Sequence, residues 1–363
     1  MRIALVSDAW APQVNGVVRT LTTTVERLRL RGCLVETITP DRFRTIPCPS
    51  YPEIRLAMGC GRKMDRLLDL LEPDAVHIAT EGPLGWAARA WCLAAGMPFT
   101  TSFHTRFPEY VALRSGLPAS WFWPVVRRFH RASARIFCAT PALAAELHGQ
   151  GLAKTHLWSR GVDLAAFSPA APTHPAMADL PGPVMLCVGR VAVEKNIAAF
   201  LDCAVPGSKV IVGDGPERAA LEKRFPDAIF LGALHGGALA SAYASADLLV
   251  FPSRTDTFGL VMAEALASGV PVAGYPVRGP LDVIGLGGRG PGDRAAGPIG
   301  ALDEDLAAAV ARALTADRAA CLAEGRRYDW DTCTAAFLAG LAPRGRTAVP
   351  EPSSAAPPLL AAA

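Results

Sequence analysis

Short apolar runs alternate with amphipathic helical stretches along most of this chain, and that alternation admits few folds. Arg2-Ile3-Ala4-Leu5-Val6-Ser7 reads as a buried strand bounded by polar residues. A Pro/Asn/Gly loop follows over 11–16, then an amphipathic helix over 17–31. Further strands are expected at 34–38, 75–78, 99–102 and 135–139, with helices between several of them. A parallel neighbour needs a long crossover, usually helical, so this order implies parallel sheets covered on both faces. The pattern starts afresh beyond the Pro-rich stretch 167–183, with strands at 184–188, 209–212, 228–231, 247–251 and 270–273. At 363 residues the chain suits two domains. The expected class is therefore α/β, with two doubly wound, Rossmann-like domains facing a central cleft. Residues 1–170 would form an N-terminal acceptor-side domain and 171–325 a C-terminal donor-side domain. A helix over 326–342 would cross back to the first domain, and a Pro/Ala/Ser-rich tail, 343–363, is expected to be disordered.

Composition narrows the class further. The nine cysteines are scattered singly, with no CxxC pair, which fits reduced thiols and a cytoplasmic place. No secretory core segment precedes Asp8, and no uncharged apolar run approaches the roughly 20 residues a bilayer span needs. The first 170 residues hold 20 Lys/Arg against 13 Asp/Glu, and the remainder 16 against 20. A basic first half suits an anionic surface or substrate, and equally an ordinary solvated surface. No nucleic-acid partner is expected.

In doubly wound sheets ligands bind beyond the carboxyl ends of the strands, so the informative residues should follow strands. The segment from Phe251 through Ser253, Asp256, Phe258, Gly259, Leu260 and Val261 to Glu264 is a strand end, a polar loop and a helix start. Free amides at a helix N-terminus suit a diphosphate. A carboxylate inside that helix can clamp the vicinal diol of a ribose. Asp256 read alone is also an N-cap candidate, and Glu264 a solvated residue. Gly189-Arg190 follows another strand, with Glu194-Lys195-Asn196 just beyond. Two cations at a strand end can stabilise a departing pyrophosphate. Gly213 opens a turn, Gly213-Asp214-Gly215, that permits close backbone approach. In the first half, Asp8 to Gly16 is a loop before a helix, His104-Thr105-Arg106 follows a strand, and Glu81 lies in another loop after a strand.

This set, in this order, resembles the retaining glycosyltransferases of family 4, whose fold is termed GT-B. The segment Asp256 to Glu264 is similar to the family's E-x7-E region, with Asp where the first Glu usually stands. The resemblance implies that Asp256 contacts the donor sugar, that amides of Phe258, Gly259, Leu260 and Val261 meet its phosphates, and that Glu264 holds the ribose. It implies diphosphate neutralisation by Arg190 and Lys195, with Gly189 and Gly213 close by. It implies approach of Gly16 to the phosphates and a place for His104 near the sugar. Asn15, Arg106 and Glu81 would lie on the acceptor side. The opening and Thr255-Asp256-Thr257-Phe258-Gly259 resemble mannosyl- and glucosyl-type lipid glycosyltransferases, including sulfolipid enzymes.

The resemblance implies no cofactor, a GDP- or UDP-sugar co-substrate and no metal. The acceptor would be a lipid or a saccharide. Residues 114–135 interleave Trp121, Phe122, Trp123 and Phe129 with arginines. That stretch suits either an anionic membrane surface, at the inner face, or a core with solvated arginines. Two rivals stand beside hexosyl transfer: an epimerase or hydrolase of nucleotide sugars on the same fold, and a non-catalytic sugar-nucleotide binder.

Overall fold

The computed structural model describes residues 1–13, 16–48, 51–104, 108, 112, 116–256 and 258–345. The first sheet is built from Arg2–Val6 (β1), Leu34–Ile38 (β2), Ala75–Ile78 (β5), Phe99–Ser102 (β6), Arg135–Cys138 (β7) and Thr155–Leu157 (β8). A separate antiparallel pair, Thr45–Cys48 (β3) and Tyr51–Ala57 (β4), lies between β2 and β5 in the chain. The second sheet holds Val184–Val188 (β9), Ser208–Val212 (β10), Ile229–Gly232 (β11), Leu248–Phe251 (β12), Val272–Gly274 (β13) and Gly300–Leu302 (β14). Strand orders are β2-β1-β5-β6-β7-β8 and β11-β10-β9-β12-β13-β14, every pairing within them parallel.

Both faces of each sheet are buried, and the period of two shows it residue by residue. Ala4 and Val6 pack with Leu84, Phe99 and Phe129 on one side of the first sheet. Ile3 and Leu5 pack with Leu21, Phe137 and Trp158 on the other. In the second sheet Leu186, Val210 and Leu249 face one cluster, while Met185, Ile211 and Leu248 face another. Such double burial is why these strands read as continuous apolar runs.

The helix Trp330–Gly340 contributes Trp330, Cys333 and Phe337 to the core of the first sheet. His156 Nε2 donates to the Ala336 carbonyl at 2.9 Å, and the Val162 amide donates to the Tyr328 carbonyl at 2.6 Å. Gly161 has no room for a side chain, because a Cβ there would sit 2.3 Å from the Trp330 ring.

Strands β8 and β14 and the β3–β4 pair were not expected. The Thr155-His156-Leu157 strand is short, polar at two of its positions and on a sheet edge, so it shows no apolar run. Residues 346–363 of the expected tail lie outside the described residues.

Candidate functional site

The order of each sheet reverses at one place, and the crevice beyond the strand ends opens there. In the first sheet that place is between β1 and β5, in the second between β9 and β12.

In the second domain the loops after β9 and β12 meet through an ion pair. Lys195 Nζ lies 2.6 Å from Asp256 Oδ1 and 2.8 Å from Oδ2. Asn196, in the left-handed conformation with φ of 54°, donates from Nδ2 to the Pro252 carbonyl at 3.2 Å. The two segments singled out in the sequence, 61 residues apart at their ion pair, thus form one wall. Arg190 is half-buried on the same loop as Lys195.

Asp256 is not a helix cap. The helix Leu260–Ala267 begins after Gly259, whose φ of 80° no β-branched residue would adopt readily, and no side chain caps its first amides. Those amides keep their donors and their positive partial charge. Phe258 is buried edge-to-face on Tyr328, while Leu260 and Val261 are half-buried. Glu264 is not solvated either: it is 1% exposed.

Glu264 has two partners from opposite directions. Tyr243 donates its hydroxyl to Oε2 at 2.9 Å, and Arg19 of the helix Gly16–Leu30 pairs with Oε1. Arg19 comes from the first domain, so this ion pair crosses the cleft. Its guanidinium also lies 5.5 Å from the Phe167 ring centre. Burial pushes the Glu264 carboxyl up from its usual range, and Arg19 and the Tyr243 hydroxyl oppose that rise. Burial, then Glu264, hold the Tyr243 phenol well above its usual value.

Backbone crowding accounts for the glycines in the loop after β10. A Cβ at Gly213, where φ is 146°, would meet the Gly189 carbonyl oxygen at 1.8 Å. The Val191 amide donates to the Asp214 carbonyl at 2.9 Å, which ties the two loops together. Gly189 and Gly16 have open space where a Cβ would point.

In the first domain, Asp8 joins the loop after β1 to the helix Pro83–Ala94 after β5. Its carboxylate accepts from the Leu84 and Gly85 amides at 2.9 and 3.2 Å and from the Thr80 hydroxyl at 3.0 Å. Burial still pushes its carboxyl up. Glu81 Oε1 accepts from His130 Nε2 at 3.1 Å. His104, at the end of β6, is buried with its Nδ1 2.9 Å from Arg160 Nη2. Asn15 and Arg106 lie outside the described residues.

Arg19, Arg160 and Tyr243 went unassigned in the sequence. Arg19 follows Gly16 by one helical turn, a spacing that aims it along the same helix face, and that is the signal that was there to use. Tyr243 gave none.

The aromatic–basic stretch divides. Trp123, Val126 and Phe129 face inward from the helix Trp123–His130, and Phe122 is half-buried. Trp121 and Val125 are 65% and 51% exposed, beside exposed Arg127, Arg128 and Arg131. The core reading holds for Trp123 and Phe129, and Trp121 lies on the surface. Among the described residues no helix is long and apolar enough to cross a membrane, and no three His, Cys, Asp or Glu side chains gather as a metal would require.

Comparison with known proteins identifies the family. The model of Glycosyltransferase Family 4 matches residues 14–166, and that of the Glycosyl transferases group 1 matches 182–316. A GDP-mannose-dependent alpha-mannosyltransferase of Mycobacterium tuberculosis is 34% identical over 310 residues, 78% of this chain and 81% of that protein. A sulfoquinovosyl transferase of Arabidopsis thaliana is 31% identical over 66% of this chain and 50% of its own. Among solved structures, sucrose-phosphate synthase from Thermosynechococcus elongatus superposes with a TM-score of 0.71 at 21% identity, over 93% of this chain and 97% of that one. Anabaena HepE in complex with UDP-glucose gives 0.68 at 17% identity, over 94% and 100%. The chain belongs to glycosyltransferase family 4, and it is a GT-B-fold hexosyltransferase that uses a nucleotide sugar.

Proposed function

We propose that the chain moves a hexosyl unit, mannose first, from a nucleoside-diphosphate sugar to a hydroxyl of a membrane lipid or glycolipid, with retention and without metal. The observation that carries this reading is the wall formed by Lys195, Asp256 and the uncapped amides of the helix Leu260–Ala267, at the switch point of the second sheet. Fixed cations and amides aimed at a diphosphate stabilise the charge that grows on it as the glycosidic bond breaks. Arg190 and Lys195 supply that stabilisation, and Gly259, Leu260 and Val261 the amides. Glu264 faces Arg19 across the cleft; ribose hydroxyls replace Arg19 on the carboxylate when donor binds. The donor named for the mycobacterial relative makes GDP-mannose the first candidate.

The chemical step is a front-side displacement. The acceptor oxygen bonds to the anomeric carbon on the face the phosphate leaves, the carbon–phosphate-oxygen bond breaks, and the acceptor proton passes to the departing phosphate. Asp256 binds sugar hydroxyls and forms no bond to the sugar. A trapped glycosyl–Asp256 adduct would refute this path.

Calorimetry with GDP, UDP and ADP in the presence of EDTA tests the donor site. We expect saturable binding of GDP, weakened by Glu264→Ala and by Lys195→Ala. If no nucleotide binds, the donor assignment falls. Donor consumed without a glycosylated acceptor would instead favour a hydrolase or epimerase.

The lipid acceptor rests on exposed Trp121 and Val125 beside Arg127, Arg128 and Arg131. Near an anionic membrane each basic residue contributes about 1 kcal/mol. Removing Arg127 and Arg128 together should therefore weaken binding to phosphatidylglycerol vesicles by about 30-fold, with no effect on phosphatidylcholine. Equal sedimentation of native and variant chains with anionic vesicles would remove the membrane from this reading.

A further inference from the structure

Among the described residues Arg160 is the one buried arginine, 8% exposed, and it forms no ion pair. Its guanidinium lies 5.4 Å from the centre of the Trp158 ring and donates from Nη2 to His104 Nδ1 at 2.9 Å. Burying a cation without a carboxylate is costly, and the indole face and the imidazole offset only part of that cost. Burial pulls the guanidinium down to about 10, so it stays charged at neutral pH. The arrangement therefore has a chemical consequence. A guanidinium has five donors and no acceptor, so the nitrogen it bonds must carry a lone pair. His104 Nδ1 is bare, and the ring proton of a neutral imidazole then sits on Nε2.

We infer that Arg160 is a positioning residue that holds His104 as the Nε2–H tautomer, so that His104 serves the sugar as a hydrogen-bond donor and never as a base. The sugar's part in this rests on the proposed transfer reaction; the tautomer does not. Among the described residues the surroundings of His104 oppose an imidazolium. Burial acts most strongly, followed by the Arg160 charge and by His77 and His130, and the Trp158 indole meets the ring edge-on at 5.6 Å. A His that cannot take a proton leaves the departing phosphate as the acceptor of the hydroxyl proton, which is what front-side attack requires.

Histidine-selective 15N labelling with two-bond proton–nitrogen correlation reads the tautomer with no substrate present. His104→Gln assigns its signals among the seven histidines. The native ring should show bare Nδ1 and protonated Nε2, unchanged from about pH 5 to 8. Arg160→Met should show both tautomers in exchange. A protonated Nδ1, a native ring that titrates in that window, or an Arg160→Met spectrum identical to the native one overturns the inference. Should Arg160→Met fail to fold, the native spectrum alone decides.

Turnover gives a second readout. His104→Gln, whose amide keeps an N–H near the Nε2 position, should lose no more than about tenfold, and His104→Leu about a hundredfold. Equal loss in both would point to a base and overturn the donor role. Failure of every nucleotide to bind, with the tautomer as expected, would sink the transfer reading and leave the Arg160–His104 pair standing.

Discussion

Replacing Lys195 by alanine should lower the rate of sugar transfer by about 10²–10³-fold, the loss typical when one preorganised donor to a developing charge is removed. The reason is geometric. Lys195 stands on the loop after β9, and its ammonium reaches the loop after β12, bonded to both oxygens of Asp256 at 2.6 and 2.8 Å. It is therefore held at the crevice before any ligand arrives, and it need not reorganise when charge builds on the leaving diphosphate. Most of the effect should fall on kcat. Lys195→Arg, which keeps the charge but not the point geometry, should recover about tenfold of the loss. Stability should change little, because the two side chains are 29% and 24% exposed and a partly solvated ion pair contributes about 1 kcal/mol or less. A Lys195→Ala enzyme within threefold of the native kcat would remove Lys195 from the chemistry.

Acid should unfold this chain through a histidine that has no part in that chemistry. His77 lies in β5, fully buried, with Nδ1 2.9 Å from the Thr100 hydroxyl and Nε2 2.9 Å from that of Ser102. Phe137, Phe337 and Trp158 surround the ring. Burial lowers its pKa to about 3. The folded chain prefers the neutral ring, so its contribution is intact above the unfolded value of about 6.5 and fades as pH falls toward 3. The whole span corresponds to roughly 4–5 kcal/mol, lost at about 1.4 kcal/mol per pH unit once the unfolded chain is protonated. His104, also held neutral by burial, adds in the same direction. Asp8 and Glu264, whose carboxyls burial raises, act the other way: their contribution is full at low pH and is lost as pH rises through their folded values. Urea unfolding at a series of pH values tests this. His77→Gln can keep both hydroxyl partners and removes one titrating proton, so its slope below pH 6.5 should be shallower. Identical slopes for the two chains would show that His77 is not the acid-labile group.

Some of this was legible in the residues alone. The apolar runs at β1, β5, β9 and β12 and the helices between them implied two parallel sheets, because a strand buried on both faces needs apolar side chains in succession. The edge strand β8 carries no such run, and β14 is only three residues long and opens on a glycine, too short to read as one. Residues after strand ends, such as Lys195, Asp256 and Glu264, were marked by their types and positions. Their partners were not. Asp256 looked able to cap a helix and instead pairs with Lys195, while the helix starts uncapped at Gly259. Glu264, which read alone could be a solvated residue, is buried between Tyr243 and Arg19, the latter 245 residues away. At Gly213 the missing side chain also makes room for the Gly189 carbonyl, a contact between two loops that the residues alone do not reveal.

The division follows from the range of the forces. Period, crossover and loop composition act between residues near in sequence, so the chain by itself determined two doubly wound sheets, the place of the crevices and the residue types lining them. The identity of each side chain's partner depends on how the two sheets are packed and on which groups share a desolvated space. Only the tertiary structure decided that Lys195 meets Asp256, that Arg19 reaches Glu264 across the cleft, and that a buried arginine with no carboxylate lies against His104.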